Sequence, residues 1–256
     1  EIGSDVTRHQ VGDPVGVGCQ SNSCRTCEQC LRGEDQYCLN GNVPTYNGPD
    51  VDGSITQGGY AEATVIDQDF VLKMPEGLDP AKASPLLCAG ITTYSPLKRW
   101  GAGPGKRVAI LGMGGLGHMG VKIASALGAE VTVLSRGTAK SADALSFGAS
   151  RYVDTTDAAA LAELAGSFDL ILSTVSAPLD IVVYLELLDI DGTLVNVGAP
   201  PQPFTVPAFA LIGGLLGLPS AWWSTFRIEE RFGFNKMSPG LWLADALKGA
   251  AVGALL

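Results

Sequence analysis

The sequence VAILGMGGLG at residues 108–117 decides the fold of this chain. Its apolar first part, Val108–Leu111, predicts a short buried strand, and the glycines that follow fit a G-x-G-x-x-G pattern. In that pattern the first glycine allows a tight turn, the second lets the backbone approach a pyrophosphate, and the third packs the next helix on the strand. The pattern predicts a dinucleotide-binding loop, and a loop that merely turns the chain is the alternative. The predicted contacts are Gly112, Gly114, Gly115, Leu116 and Gly117.

Downstream of this loop, apolar runs alternate with helical segments. The predicted strands are 108–111, 131–134, 152–153, 169–172 and, after an Asp191-Gly192 turn, 193–197. The predicted helices are 116–127, ended by Gly128, 140–147, ended by Gly148, 158–164, capped by Asp157, and 179–188. Such units predict an α/β fold with a doubly wound parallel sheet. Residues 1–75 instead predict an irregular, mostly β domain with β-like runs at 63–66 and 70–73.

The residues at the end of the second strand predict which dinucleotide binds. An NAD site places Asp or Glu there, about 20 residues beyond the glycines, to bind the ribose 2′-hydroxyl. This chain has Ser135, Arg136, Gly137, Thr138 and then Lys140, with no acid among them. A hydroxyl and two cations suit a 2′-phosphate, so Ser135, Arg136 and Lys140 predict NADP(H) as the cofactor. The alternative is that the two cations are ordinary surface charges.

Four cysteines with close spacing predict a metal site: Cys24, Cys27, Cys30 and Cys38 form C-x2-C-x2-C-x7-C. Four thiolates at about 2.3 Å close a tetrahedral structural zinc site. Zinc can supply about 10–16 kcal/mol of apparent binding energy, which is enough to order a segment too polar to form its own core. Disulfides, a ferredoxin-type iron–sulfur cluster and unrelated thiols are the alternatives. Six cysteines in 256 residues are few for a disulfide scaffold, and the spacing differs from that of ferredoxin.

The composition argues against several classes of function. A net charge of −9 argues against nucleic-acid binding and fits a protein that binds small molecules. The chain opens at Glu1 without the pattern of a secretory signal, and its longest apolar run, Leu211–Leu218, is too short to span a membrane. Clustered cysteines without a signal predict a cytoplasmic protein.

Several segments together resemble the medium-chain zinc-dependent alcohol dehydrogenases, most closely the cinnamyl alcohol dehydrogenase-like branch. They are Val17-Gly18-Cys19, the four-cysteine segment, QGGYAE at 57–62, LLCAGITTYSPL at 86–97 and GGLGHM at 114–119. The resemblance runs from residue 1 to about residue 210. It implies a partial GroES-like catalytic domain with a zinc lobe at 1–88 and a Rossmann NADP-binding domain at 89–215. Residues 216–256 are expected to form a divergent tail.

The resemblance also implies roles for individual residues. In this family a second zinc polarises an alcohol or aldehyde oxygen while hydride passes to or from the nicotinamide. Cys88 matches one ligand of that catalytic zinc. The residues expected near the nicotinamide are Thr92, Val197, Gly198 and Ala199. His118 is interpreted as a helix residue near phosphate, and His9 as a solvated surface residue.

The chain also departs from the family pattern at both ends. The family has a cysteine ligand and a Gly-His-Glu segment with a second ligand, and Glu1 falls directly after the place where that segment ends. With Cys88 alone we expect an incomplete catalytic zinc site and no identifiable proton relay. After Ala210 the sequence diverges, and the Trp222-Trp223 pair is interpreted as core or interface. We therefore expect a cofactor-binding piece of an enzyme, with little or no turnover.

The expected reaction interconverts a primary alcohol and an aldehyde with NADP(H). The expected partner is a small-molecule substrate, with neither nucleic acid nor membrane. Members of the family that this chain resembles usually pair as homodimers, and the oligomeric state of this chain stays open. Two other functions stay open. One is a non-catalytic, zinc-stabilised NADP-binding protein. The other is a zinc-independent quinone oxidoreductase-like reductase, against which the four-cysteine segment and Cys88 both argue.

Overall fold

A computed structural model describes residues 1–206, and their first 88 residues contain short antiparallel strands joined by long turns. The strands are β1 (Val15–Val17), β2 (Gln20–Asn22), β3 (Val43–Pro44), β4 (Tyr46–Pro49), β5 (Ile55–Gln57) and β6 (Val71–Lys73). β1 pairs with β6, β2 with β3 and β4 with β5. The helices are α1 (Glu28–Leu31) and α2 (Pro80–Ala83), and 3-10 turns lie at Asp35–Tyr37, Gln68–Phe70 and Ser84–Leu87. This confirms the irregular β character. The strand expected at 63–66 is wrong, because this run is exposed except for half-buried Ile66 and has no pairing partner in residues 1–206.

The next hundred residues form a five-stranded parallel sheet with intervening helices. The elements are α3 (Ala89–Arg99), β7 (Arg107–Leu111), α4 (Gly115–Ala126), β8 (Glu130–Ser135), α5 (Ser141–Ser146), β9 (Arg151–Asp154), α6 (Ala158–Ala162), β10 (Phe168–Ser173), α7 (Ile181–Leu185) and β11 (Leu188–Asn196). The strand order is β11-β10-β7-β8-β9, and every neighbouring pair is parallel. The predicted parallel α/β sheet is confirmed.

Strand β7 shows why this sheet is buried on both faces. Successive side chains of a strand point to opposite faces. Val108 and Ile110 belong to one hydrophobic cluster, whereas Ala109 and Leu111 belong to the other, and all four are at most 2% exposed. An apolar run without alternation is therefore typical of a strand that is covered on both sides.

Local signals placed most element boundaries correctly. Gly128 and Gly148 follow the ends of α4 and α5 with φ of +90° and +106°, and Asp157 caps α6 by accepting hydrogen bonds from the N–H groups of Ala159 and Ala160. The last helix and strand depart from the prediction: α7 covers only Ile181–Leu185 of the helix expected at 179–188, and β11 already begins at Leu188. The Asp191-Gly192 turn lies inside β11 as an irregularity, where the pairing with β10 jumps from Leu188 to Thr193.

Contacts divide the chain into a unit of residues 1–179 and 183–203 and a second unit of residues 180–182 and 204–256. The sheet strands and both sites discussed below belong to the first unit. The predicted domain limits at 88 and 215 stay predictions. The predicted tail, the run Leu211–Leu218 and the Trp222-Trp223 pair lie outside the described residues. Within residues 1–206, every helix is too short or too polar to cross a membrane.

Arg107 ties together the starting ends of three neighbouring strands. Its backbone N–H and its Nε both donate to Asp169 on β10, at 2.8 and 3.1 Å, and its guanidinium donates to Asp189 on β11 at 2.6 Å. The backbone N–H and the guanidinium of Arg107 hold the pKa of Asp169 below its usual value. The guanidinium does the same for the pKa of Asp189, together with the N–H of Ile190.

These contacts predict an acid-sensitive contribution to stability. Because both folded-state pKa values lie below the unfolded value of about 3.9, the contribution is present above about pH 4 and is lost as pH falls through the folded-state values. Urea unfolding at pH 7 and pH 3 should show a smaller acid-induced loss in Arg107→Met than in the unmodified protein. Lys106→Met, whose ammonium lies 3.7 Å from Asp169 and is half exposed, is the control and should behave nearly like the unmodified protein. Equal acid sensitivity of Arg107→Met and the unmodified protein would contradict this interpretation.

Candidate functional site

A cleft of about 560 Å³ opens where the parallel strands of the sheet end. Open parallel sheets bind ligands in such a crevice, beyond the carboxyl ends of the strands. Its lining combines the glycine loop, the ends of β8 and β10 and the residues after β9 and β10: Leu111, Gly112, Met113, Gly114, Leu134, Ser135, Arg136, Lys140, Thr155, Thr156, Thr174, Val175, Ser176, Ala177, Pro178, Leu179 and Tyr184. The structure thus gathers five of the residues predicted to bind the cofactor. They are Gly112, Gly114, Ser135, Arg136 and Lys140.

The glycine loop turns sharply between β7 and α4. Gly112 has a φ of +90°, and its N–H donates to the carbonyl of Leu134 on β8 at 2.8 Å. A Cβ at Gly117 would overlap the carbonyl oxygen of Gly112, whereas a Cβ at Gly114 would meet no heavy atom within 4 Å. Gly117 therefore lets the helix approach the strand, and Gly114 leaves its backbone open to a ligand. Gly115 begins α4, and Leu116 is half-buried in its first turn.

Two cations and no carboxylate line this cleft among residues 1–206. Arg136 is exposed and forms no ion pair with any other described residue. Lys140 is also exposed, and its Nζ donates to the carbonyl of Met113 in the glycine loop at 2.8 Å. Charge and exposure at this end of the cleft therefore favour an anionic group.

His118 lies in the first turn of α4, and its N–H donates to the carbonyl of Gly114 at 2.9 Å. Its ring stacks on Phe147, with centroids 4.2 Å apart and an angle of 21° between the planes. The ring also borders a small hollow shared with Lys140 and Asp143. The helical position is confirmed, whereas proximity to a phosphate stays a prediction.

The residues expected along the nicotinamide ring follow β11 directly. The N–H groups of Val197 and Gly198 donate to the carbonyl of Ser173 at 2.8 and 3.2 Å, and the N–H of Ala199 donates to the Ser176 hydroxyl at 3.2 Å. A side chain at Gly198 would overlap the backbone of Val175. These three residues lie at the carboxyl edge of the sheet but do not line the cleft described above. Their role stays a prediction.

The four cysteines predicted to bind a metal come together around one point. Their Sγ atoms all lie within 4.8 Å of one another, with Cys24 3.9 Å and Cys27 3.4 Å from Cys30. A Zn–S bond of about 2.3 Å sets an S···S edge of about 3.8 Å in a tetrahedron. The spacing therefore fits a tetrahedral zinc ion held by Cys24, Cys27, Cys30 and Cys38. None of the four forms a disulfide, and all are half-buried.

Hydrogen bonds and neighbouring thiols shift the pKa values of these cysteines in different directions. Backbone N–H groups of Thr26 and then Cys27 lower the pKa of Cys24 to about 5. At Cys30 a hydrogen bond from Ser23 acts in the same direction, but burial and the neighbouring thiols raise its pKa to about 12. Four thiolates so close together need a cation, and a divalent metal supplies one.

Cys88 lines a second, more apolar cleft of about 790 Å³. It immediately precedes α3, and its carbonyl accepts a hydrogen bond from the N–H of Thr92 at 3.0 Å, so the two predicted residues lie together. Cys19 lies beside it: a hydrogen bond with Cys88, followed by burial, raises the pKa of the Cys19 thiol. Among residues 1–206, the four-cysteine group is the only set of three or more side chains arranged to hold a metal. The described neighbours of Cys88 therefore do not complete a catalytic zinc site.

Arg25 connects the four-cysteine segment to the wall of the Cys88 cleft. Its guanidinium donates to Asp69 at 2.6 Å, forms an ion pair with Asp67 at 2.9 Å and lies 4.6 Å above the ring centroid of Phe70. Asp69 and Phe70 both line that cleft. The metal lobe, defined here as residues 24–38, is thus fastened to a surface that faces Cys88.

His9 differs from the prediction of a solvated surface residue. It is half-buried, with its Nε2 3.3 Å from the carbonyl oxygen of Gln68. Its Nδ1 is buried and has no hydrogen-bond partner among the described residues. The polar neighbours Arg8 and Gln10 suggested exposure, but the fold brings the turn at Gln68 over the ring.

Sequence reasoning missed several residues at both clefts. The missed residues are Thr155, Thr156 and Thr174 to Leu179 at the first cleft, and Cys19, Asp35, Gln36, Asp69 and Phe70 at the second. A signal existed for the first group, because residues that directly follow parallel strands converge at the binding edge of a sheet. No local pattern marks the second group, whose members come from separate turns.

Comparisons with known proteins agree with this arrangement. Two protein-family models match this chain. The model of the alcohol dehydrogenase GroES-like domain matches residues 1–76, and the model of zinc-binding dehydrogenases matches residues 115–232. NADP-dependent alcohol dehydrogenase C 1 of Mycolicibacterium smegmatis is 56% identical over 213 residues, which are 83% of this chain and 61% of that protein. The chain thus spans 61% of this relative, and the second family match extends past residue 210, where we expected the resemblance to end.

Solved structures give the same result. Cinnamyl alcohol dehydrogenase from Sorghum bicolor has a TM-score of 0.81 and 45% identity, covering 84% of this chain and 62% of that one. CAD from Helicobacter pylori, solved in complex with NADP(H), has a TM-score of 0.77 and 40% identity, covering 83% and 61%. The fold is that of the GroES-like and Rossmann-type zinc dehydrogenases. The chain belongs to the zinc-dependent alcohol dehydrogenase family, in its cinnamyl alcohol dehydrogenase-like branch.

Proposed function

We propose that this protein binds NADP(H) in the cleft at the strand ends. We further propose that it belongs to an enzyme that catalyses hydride transfer between the nicotinamide and a primary alcohol or aldehyde. One observation carries the cofactor assignment. The cleft combines a glycine loop with the exposed side chains of Arg136 and Lys140, and it has no carboxylate in its described lining. The name of the mycolicibacterial relative and the NADP(H) complex of the Helicobacter pylori protein support the same assignment.

In this proposal the chain's own groups bind and orient the dinucleotide. The N–H groups at the start of α4 and the open backbone at Gly114 receive the pyrophosphate. Ser135, Arg136 and Lys140 receive the 2′-phosphate through charge-assisted hydrogen bonds. Thr92 and the segment Val197–Ala199 are proposed to adjoin the nicotinamide, which supplies or accepts the hydride when the cofactor is bound.

The four-cysteine group is proposed to hold a structural zinc that orders the metal lobe, because its sulfur spacing matches a closed tetrahedral site without a free position. Cys88 is proposed as one ligand of a second, catalytic zinc. The described residues bring no set of three or more ligands together around Cys88, and we derive no reaction step through that ion.

The cofactor proposal predicts a clear preference in a binding titration. Following nicotinamide fluorescence, we expect NADPH to bind at least about tenfold more tightly than NADH, because an extra phosphate meets two cations. Arg136→Gln should remove most of this preference by weakening NADPH binding and leaving NADH binding unchanged.

Arg151→Gln is the matched control for this test. Arg151 is also an exposed arginine, but it lies at the first residue of β9, the opposite end from the cleft. It should leave both affinities unchanged. Equal or tighter binding of NADH by the unmodified protein would refute the assignment.

A further inference from the structure

The turn that follows β8 is fixed at both polar atoms of a single residue, Gly137. Its N–H donates to Asp154 Oδ1 at 2.8 Å, and its carbonyl accepts a hydrogen bond from the Tyr152 hydroxyl at 2.7 Å. Both partners belong to β9, where Asp154 pairs with Ser135 and Tyr152 pairs with Val133 of β8. Gly137 has a φ of +68°, a left-handed conformation that favours glycine, at the residue that is held. We call these two hydrogen bonds the Gly137 clamp.

The carboxylate of Asp154 is directed at this turn. Its Oδ1 also accepts hydrogen bonds from the N–H and the hydroxyl of Thr156, at 2.9 and 2.8 Å. These bonds, with that from Gly137, lower the pKa of Asp154, so the side chain is ionised at neutral pH. Asp154 does not line the cofactor cleft, although its neighbours Thr155 and Thr156 do. The acid at the end of β9 is thus engaged in fixing the backbone.

The clamp fixes the backbone next to the two cationic residues that follow β8. Arg136 lies between Ser135, which ends the ladder with β9, and the clamped Gly137. Its backbone is therefore held on both sides, while its exposed side chain has no ion-pair partner in residues 1–206. Lys140 follows three residues after Gly137 and also lines the cleft. Fixing the turn reduces the conformational freedom that Arg136 and Lys140 would lose on binding an anion.

We propose that Asp154 and Tyr152 are positioning residues that set the preference for the 2′-phosphate, by holding Gly137 so that Arg136 and Lys140 face the cleft. This inference rests on the proposed binding of NADP(H). The clamp holds the backbone next to Arg136, whereas the N–H groups proposed for the pyrophosphate belong to the glycine loop and the start of α4, so the clamp acts mainly on the 2′-phosphate. Loosening the clamp therefore weakens the binding of NADPH more than the binding of NADH.

The test compares the Kd values of NADPH and NADH, measured by fluorescence titration, for the unmodified protein and four variants. Asp154→Ala should lower the preference for NADPH about tenfold, as expected from the loss of a hydrogen bond to a charged group. Tyr152→Phe, which removes a single hydroxyl, should lower it in the same direction to a smaller extent. Asp154→Asn keeps an oxygen acceptor for Gly137 and Thr156 and should restore most of the preference.

Asp157→Ala is the matched control, because Asp157 lies three residues away and caps α6 instead of the turn. It should lower thermal stability without changing the ratio of the two affinities. Amide hydrogen exchange at Gly137 in the cofactor-free protein gives a readout independent of binding, and it should accelerate in Asp154→Ala and not in Asp157→Ala. If Asp154→Ala fails to fold, Tyr152→Phe and Asp154→Asn test the same clamp.

The outcomes separate this inference from the cofactor assignment. An unmodified protein without a preference for NADPH would overturn both. A preference in the unmodified protein that Asp154→Ala and Tyr152→Phe retain, or that falls equally in Asp157→Ala, would overturn the clamp alone. Equal weakening of NADPH and NADH in Asp154→Ala would also overturn it, because that result indicates general loosening of the cleft.

Discussion

Replacing Cys30 with serine is expected to remove one zinc ion per chain and to unfold the metal lobe. Cys30 is the cysteine whose sulfur lies 3.4 Å from that of Cys27 and 3.9 Å from that of Cys24. Zinc held by four cysteines can contribute about 10–16 kcal/mol of apparent binding energy, which is comparable with the about 5–15 kcal/mol that stabilises a whole domain. The lobe contains only the four-residue helix α1 and a 3-10 turn, neither with a buried residue, so packing cannot replace the metal.

Two measurements check this result. Elemental analysis should find one zinc fewer per chain than in the unmodified protein. Trypsin should cleave rapidly after Arg25 and Arg32, both of which lie within the lobe. Cys19→Ser is the control, because Cys19 precedes the lobe and is not part of the four-cysteine group. It should keep the zinc content and the protease resistance. Full zinc content in Cys30→Ser would contradict a four-cysteine site.

Unfolding of the metal lobe should also change the structure of the Cys88 cleft. Arg25 is held between Cys24 and Cys27, and its ion pairs with Asp67 and Asp69 exist only while the lobe is folded. These pairs are partly exposed, and such pairs contribute little to stability by themselves. Their effect is on position: without Arg25, Asp69 and Phe70 in the wall of the cleft lose the side chain that holds them in place. A structural metal can therefore influence a pocket that it does not touch.

The sequence predicted the sheet well because its signals are local. The helix-ending glycines Gly128 and Gly148, and the cap at Asp157, act within a few residues of where they occur and so separate one strand from the next. The failures have non-local causes. Residues 63–66 have the composition of a strand but no pairing partner within residues 1–206. Strand β11 begins early because Leu188 pairs with Phe168 of β10. Strand formation depends on the neighbouring strand as much as on the segment itself.

The same distinction applies to the cofactor cleft. The glycine pattern and the cations at Arg136 and Lys140 were visible in the sequence, since each motif is a short stretch. The Gly137 clamp was not, because it depends on the register that sets Asp154 opposite Ser135 and on the direction of two side chains. A search of the sequence for an acid after β8 finds none, while the acid that shapes this turn comes from the next strand.

Substituting Gly117 with alanine is expected to lower both stability and cofactor binding. The new Cβ would overlap the carbonyl oxygen of Gly112, a backbone atom that cannot rotate away. Gly112 is itself held, because its N–H donates to Leu134 and its carbonyl accepts a hydrogen bond from the Thr174 hydroxyl at 3.2 Å. Relieving the overlap must move α4 away from β7 or break these bonds. Such overpacking typically costs about 1–3 kcal/mol.

Urea unfolding measures the loss of stability, and NADPH titration measures the loss of affinity. We expect the Kd of NADPH to rise by more than about tenfold, because the loop backbone is displaced from the pyrophosphate. Gly114→Ala is the matched control, since a Cβ there meets no heavy atom within 4 Å and Gly114 has an ordinary φ of −96°. It should keep normal stability and lose affinity, because its methyl group occupies the space that the ligand approaches. Normal stability of Gly117→Ala would mean that α4 does not need this close approach to β7. Unchanged affinity of Gly114→Ala would mean that the pyrophosphate binds elsewhere. The two variants therefore separate the role of a glycine in packing the loop from its role in receiving the ligand.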